Sequence, residues 1–163
     1  MAKNKEEKTN VMRVLEQKKI AYTPHSYPHE EGIAVDGVTV AQSMGFDPAI
    51  VFKTLVARGA SKQYYVFDVP VAENLDLKKA AKAVGEKSIE MIHQKELLPL
   101  TGYVHGGCSP VGMKKLFPTV FHETAENLET MIVSAGKIGY QVELAPHDLA
   151  ALVRAKFADL IVE

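Results

Sequence analysis

The run Ile50-Val51-Phe52-Lys53-Thr54-Leu55-Val56-Ala57 constrains the fold more than any other stretch of the chain. It is apolar on both faces, the pattern of a strand buried within a sheet rather than one with a wet side. Lys53 is its only charge. An unpaired ammonium in an apolar sheet costs several kcal/mol, so such a lysine sits at a strand end, is paired, or is used. The plain reading is a lysine at the strand margin that extends its amine to water. The functional reading is a compact point charge with three donors, suited to a phosphate or to negative charge developing on an ester.

The chain has 163 residues, 47% hydrophobic and 24% charged, which suits one domain with one substantial core. Its net charge of −1 supplies no bulk attraction to nucleic acid, so any such binding needs a local basic patch, and DNA is not an expected partner. Cys108 is the single cysteine, which excludes an internal disulfide and fits a reducing compartment. The start, Met1-Ala2-Lys3-Asn4-Lys5-Glu6-Glu7-Lys8, is charged and has no apolar stretch after it, unlike a signal peptide. No apolar run reaches the length that spans a bilayer, so a cytoplasmic protein without membrane contact is expected. Residues 1–8 read as a flexible lead-in and 9–163 as one domain.

Local signals place the elements. Thr9 or Asn10 can cap a first helix with Val11, Val14, Leu15 and Lys18 on one stripe. Ile20-Ala21-Tyr22-Thr23 reads as a short strand, and Pro24 and Pro28 make His25-Ser26-Tyr27 an edge strand or loop. Thr39-Val40-Ala41-Gln42 resembles a capping box, with Gly45 as terminator. After the Lys53 strand and a turn at Arg58 to Lys62, Tyr64 to Val69 predicts a second, antiparallel strand. Asp76 caps a helix from Leu77 to Val84 closed by Gly85, with Leu77, Ala80, Ala81 and Val84 inward and the lysines outward. A strand at Ser88 to Ile92 and a short helix from Gln94 to Leu98 follow. Strands are predicted at Thr119-Val120-Phe121 and Met131 to Ser134, the latter in a hairpin with Tyr140 to Leu144. Pro146 opens a last helix, His147 to Arg154, and Asp159 to Val162 reads as a final strand. This order lacks the regular alternation of a doubly wound sheet. It predicts a mixed α/β fold with a curled, barrel-like sheet surrounded by helices.

Gly106-Gly107-Cys108-Ser109-Pro110 is the complement to Lys53. Consecutive glycines allow close backbone approach, and amides in such a loop can turn toward an anion or a carbonyl oxygen. The loop matches neither a P-loop nor a nucleophile elbow, and a tight connection is the plain alternative. Cys108 near His105 raises a cysteine nucleophile, but no third orienting residue is evident, and a buried cysteine is the commoner role. His25 and His29 are separated by Pro28, and no histidine or cysteine set completes a zinc site, so neither metal nor other cofactor is expected. Lys78, Lys79, Lys82, Lys87, Lys114 and Lys115 form either a solvated surface or a basic rim, the latter only if they lie beside Lys53.

Several stretches, in this order and spacing, resemble the YbaK/EbsC-type aminoacyl-tRNA deacylases, relatives of the editing (insertion) domain of bacterial prolyl-tRNA synthetases. They are Val51 to Leu55, Leu75 to Lys82, Thr101 to Pro110, Val133 to Lys137 and Phe157 to Ile161, so the resemblance runs from about Val11 to Ile161. Within that family the chain looks similar to the free-standing enzymes that clear cysteine from tRNA(Pro), rather than to those that clear alanine. The resemblance implies a barrel-like mixed α/β fold with its site in a cleft on the sheet. It implies release of a wrong amino acid from the 3′ end of tRNA, with prolyl-tRNA synthetase as a partner. Lys53 matches the family's essential lysine, and Gly106 to Pro110 matches its Gly-x-x-x-Pro loop, whose backbone amides hold the aminoacyl end. Ser109 adds a hydroxyl to that loop. Tyr27, Thr54 and Ser134 fall where relatives place pocket walls. No protein nucleophile is implied; in the cysteine-specific group the substrate's own thiol attacks the ester. Two departures bear on specificity: Gln141 stands where relatives often carry an acid, and Cys108 where they often carry an apolar or hydroxyl residue. A non-catalytic module that binds tRNA or a synthetase is the rival reading, and a Cys108-dependent hydrolase is a third.

Overall fold

The computed structural model describes residues 8–163; the lead-in expected at residues 1–8 lies outside the described residues except for Lys8. Lys8 is engaged there: its ammonium pairs with Glu16 at 2.9 Å, and its carbonyl accepts from Arg13. Helix α1 (Asn10–Gln17) starts at Thr9, whose hydroxyl accepts from the Met12 amide, and it buries Val11, Met12 and Leu15. Strand β1 (Thr23–Ser26) lies three residues later than the predicted Ile20–Thr23 strand and contains Pro24. It is an edge strand, where a missing N–H is tolerated. Helix α2 (Gly37–Met44) is capped by Asp36 rather than by Thr39; the Asp36 carboxylate accepts from both the amide and the hydroxyl of Thr39. Gly45 closes it in the left-handed conformation, as predicted.

Strands β2 (Phe52–Gly59) and β3 (Tyr64–Pro70) form the long antiparallel ladder, with Lys53 opposite Val69 and Thr54 opposite Asp68. Helix α3 (Leu77–Val84) runs from Asp76, which accepts from two amides, to Gly85. It buries Ala80 and Ala81, but Leu77 is exposed, contrary to the predicted inward stripe. Strand β4 (Ile89–Met91) pairs with the far end of β2. Helix α4 (Gln94–Thr101) continues past Leu98 and takes Pro99 inside it, where the sequence predicts an end.

Strands β5 (Thr119–His122), β6 (Met131–Ser134) and β7 (Tyr140–Leu144) and helix α5 (Pro146–Val153) fall where expected. The last strand, β8, is Lys156–Ala158 rather than the predicted segment beginning at Asp159. It pairs in parallel with β5, while Ile161 makes only an isolated bridge to Leu75.

The ladders form a three-stranded sheet of order β1-β7-β6 and a five-stranded sheet of order β4-β2-β3-β5-β8. β3–β5 and β5–β8 are parallel and the other ladders antiparallel, which gives the mixed α/β class. A parallel bridge between Val51 and Ile132 joins the sheets, and Ala41 of α2 packs over it with Val71. α1 and α5 bury Val11, Leu15 and Leu149 against Phe52, Val133 and Val142. α3 packs Ala80 and Ala81 against Phe67, Val69 and Val120. On the remaining face of β2 and β3, Val56 and Val66 are covered by Cys108 and Phe117.

Candidate active site

The site lies where β2 leaves the sheet junction. A cavity of about 310 Å³ opens there, lined by Tyr27, Lys53, Thr54, Gly106, Ser134 and Gln141, with Val40, Val51 and Leu97 among its apolar walls. Cys108, His105 and Asp36 complete the polar part of its lining. Five of the expected site residues, Tyr27, Lys53, Thr54, Gly106 and Ser134, are thus gathered from four separate parts of the chain.

Lys53 is the second residue of β2, at the strand end as its chemistry requires, and it is half-buried. Among the described residues no carboxylate lies within ion-pair distance of its ammonium. Burial lowers its pKa, and the negative charge of Glu73 acts in the opposite sense. A partly desolvated cation facing a cavity is a strong electrostatic partner for an anion, since there is less water to screen it.

The glycine loop contributes Gly106 and Cys108 to the same cavity as this cation. Gly106 lines the cavity at φ +91°, and a Cβ there would lie 2.7 Å from the Cβ of Ala34, so only glycine fits without displacement. The Gly106 and Cys108 amides find no acceptor among the described residues. The Gly107 amide is already used, donating to the Val104 carbonyl at 2.9 Å, which corrects the expectation that both glycine amides face a substrate. Ser109 and Pro110 are buried behind the loop and do not line the cavity. The Ser109 hydroxyl accepts from the Val111 amide at 3.2 Å, a turn-stabilising role.

Tyr27 is buried just after β1; desolvation raises its phenol, opposed by hydrogen bonds with Gly139 and Gln141. Gln141 on β7 stands opposite Ser134 on β6, and the Ser134 hydroxyl accepts from the Gly136 amide at 3.1 Å. The carbonyl oxygen of the Gln141 side chain is buried without a partner among the described residues.

Cys108 is ill suited to attack an ester. Its thiol is pushed up to about 12, first by burial and then by the negative charge of Asp68, so thiolate is scarce at neutral pH. Burial also raises the Tyr103 phenol, to about 12, and its hydroxyl donates to the Val111 carbonyl. The candidate basic rim lies elsewhere. None of its six lysines lines the cavity; Lys79 pairs with Asp159 at 3.0 Å, and Lys115 lies over the Phe117 ring.

Sequence reasoning passed over Asp68. It is fully buried on β3, accepts from the Thr54 hydroxyl at 2.5 Å, and leaves its second oxygen without a partner. Burial lifts its carboxyl to about 7. The signal was present: Asp68 is a lone charge in the apolar run Val66 to Val71, the same anomaly that marks Lys53.

Comparison with known proteins shows the family of the chain. Residues 34–152 match the model of the aminoacyl-tRNA editing domain, a span that includes Lys53, the glycine loop, Ser134 and Gln141. A protein of Enterococcus faecalis (strain ATCC 700802 / V583), provisionally named Cys-tRNA(Pro)/Cys-tRNA(Cys) deacylase EbsC, is 45% identical over 161 residues, covering 98% of each chain. A crystal structure described as a trans-editing enzyme for prolyl tRNA synthetase superposes with a TM-score of 0.79 at 26% identity, covering 94% of this chain and 95% of that one. The hypothetical protein APE2540 shares the fold, with a TM-score of 0.81 at 18% identity over 93% of this chain and 99% of that one. The chain belongs to the aminoacyl-tRNA editing domain family.

Proposed function

We propose that this editing-family deacylase acts in trans on tRNA(Pro) that carries a wrong small amino acid, cysteine foremost, and that it also accepts Cys-tRNA(Cys). The observation that carries this reading is a half-buried Lys53 ammonium, without a carboxylate partner among the described residues, that lines a small cavity together with Gly106, which close packing requires to be glycine. The name of the Enterococcus faecalis relative supports the amino acid and the tRNAs. In this reading Lys53 holds the terminal nucleotide or the polar groups of the ester. The Gly106 and Cys108 amides, which find no acceptor among the described residues, orient the carbonyl. Tyr27, Thr54, Ser134 and Gln141 close the pocket around the side chain. Ser109 and Pro110 hold the loop from behind.

An aminoacyl ester is already labile, so positioning and electrostatic stabilisation suffice without a protein nucleophile. The substrate thiol then attacks its own ester carbonyl. A carbon–sulfur bond forms, the bond from the carbonyl carbon to the ribose oxygen breaks, and that oxygen takes up the proton the thiol gives up. Water opens the cyclic thioester to release cysteine. The high position of the Cys108 thiol supports a route through substrate rather than protein sulfur. The same proposal includes a barrel-like curl, with the two sheets continued into one another through the Val51–Ile132 bridge.

The test compares release of cysteine and of S-methylcysteine from the same tRNA(Pro). Thiol attack predicts rapid release of the first and retention of the second. Equal rates would assign the attack to water or a ribose hydroxyl, and failure to release either would favour the rival reading of a non-catalytic tRNA-binding or synthetase-binding module.

A further inference from the structure

Among the described residues, two buried side-chain atoms lack a hydrogen-bond partner, and both belong to one neighbourhood. Gln141 Oε1 is on a residue that lines the cavity. Asp68 Oδ2 lies one layer behind it. Thr54 and Asp68 are a directly opposed pair on β2 and β3, so their side chains share a sheet face. Val56 and Val66, two residues along each strand, share that face and pack under Cys108 and Phe117. Asp68 is therefore sealed from water by apolar neighbours and the Cys108 thiol, and among the described residues its carboxylate has one hydrogen-bond partner, the Thr54 hydroxyl of the cavity lining.

A threonine hydroxyl has one hydrogen and two lone pairs. Here the hydrogen points backward, to Asp68 Oδ1 at 2.5 Å. The oxygen then has only lone pairs left for the cavity. We propose that Asp68 is a positioning residue that acts through Thr54: by taking the Thr54 hydroxyl proton in a hydrogen bond it presents Thr54 Oγ1 to the cavity as an acceptor, which together with Gln141 Oε1 receives the α-amino group of the aminoacyl ester. The inference deepens the deacylase reading and rests on it for the identity of the ligand.

The arrangement is reversible. With Asp68 ionised, Thr54 can only accept from the cavity. With a proton on Oδ1, the carboxyl can donate to Thr54 and the hydroxyl hydrogen is free to turn outward, which repels a donor. A carboxyl at about 7 makes this exchange within the working range of pH. The other titratable groups of the neighbourhood are Lys53, Cys108, Tyr27, His105 and Asp36 in the cavity lining, Tyr103 packed with Cys108, and Glu73, whose charge acts on Lys53. The Thr54 hydrogen bond lowers the Asp68 pKa and burial raises it.

The first test needs no tRNA. The side-chain carboxyl carbon of Asp68 is followed by NMR against pH in the full chain, assigned by difference from Asp68→Asn. The expected result is an inflection near neutrality that moves to higher pH in Thr54→Val, because the hydrogen bond that holds the carboxyl down is gone. An inflection that ignores Thr54→Val would overturn the inference whatever the protein's substrate. The second test uses Cys-tRNA(Pro). Asp68→Asn raises KM about ten-fold and leaves kcat within about two-fold, the loss expected for one charge-assisted hydrogen bond used in binding. It also removes the neutral-pH step from the KM profile. Thr54→Ser, which keeps the hydroxyl, restores KM relative to Thr54→Val, and Asp68→Asn adds nothing further in the Thr54→Val background. Additive losses, or an unchanged KM profile in a folded Asp68→Asn protein, would contradict the inference. Absence of deacylation by the wild type would defeat the functional reading and leave the NMR result standing.

Discussion

At the scale of single residues, the site is built from charges placed where water cannot fully solvate them. Lys53 is half-buried with no carboxylate partner among the described residues, so its removal should not cost much stability. We expect Lys53→Ala to slow cysteine release by about 100-fold or more while its melting temperature stays at or above that of the wild type. Parallel kinetics and calorimetry check both halves. Cys108 behaves in the opposite way. Its thiol, raised to about 12, should resist alkylation at pH 8 in the folded protein and react on unfolding, and Cys108→Ser should retain activity. Rapid labelling of the native protein would show that the thiol is not held as the structure holds it.

Asp68 has a stability signature as well. Its folded value near 7 lies above the ordinary 3.8, so the folded state binds the proton more tightly than the unfolded chain. The stability linked to that proton is present below pH 4 and is lost as the pH rises through 7. Asp68→Asn should therefore gain on the wild type between pH 4 and pH 7, by a few kcal/mol at most, in urea unfolding. A difference that does not change with pH would mean that Asp68 titrates normally.

At the scale of elements, the same local chemistry explains what was legible in the sequence and what was not. Asp76 and Gly85 fix both ends of α3, and Thr9 fixes the start of α1, because caps are satisfied by atoms a few residues away. Asp76→Ala should cost about 1–2 kcal/mol with little change in turnover, as chemical unfolding would show. The misplacements are non-local. β8 settles on Lys156 to Ala158 because parallel pairing with β5, far away in sequence, selects it over the apolar Leu160 to Val162. β1 crosses Pro24 because its ladder with β7 lies at a sheet edge. In the site, Lys53 and Gly106 were visible as chemical anomalies in their own segments. The retirement of the Gly107 amide and of Ser109 into turns was not, since it depends on where Val104 and Val111 sit. Gly106→Ala should displace the loop from Ala34 and reduce activity more than ten-fold, well beyond its effect on stability.

At the scale of the whole molecule, the sheets meet beside the cavity, so residues from β2, β6 and β7, Tyr27 just after β1, and the glycine loop reach one pocket across a junction held by the Val51–Ile132 bridge. At about 310 Å³ the pocket has no room for the body of a tRNA, which fits the proposed binding of an aminoacyl end alone. With a net charge of −1, and with the candidate basic rim outside the cavity lining, the chain has little to read a particular tRNA with. Cysteine on tRNA(Pro) and on tRNA(Cys) should thus be released within about ten-fold of one another, and discrimination should appear on adding prolyl-tRNA synthetase. Tight, selective binding of one tRNA by the chain alone would contradict this.

The most direct test of the central claim is the release of cysteine, alanine and proline from tRNA(Pro) by the wild type and by Lys53→Ala, measured side by side. The account predicts fast loss of cysteine, slower loss of alanine, retention of proline, and collapse of all release in the variant. Undiminished release by Lys53→Ala, or preference for proline, would contradict it.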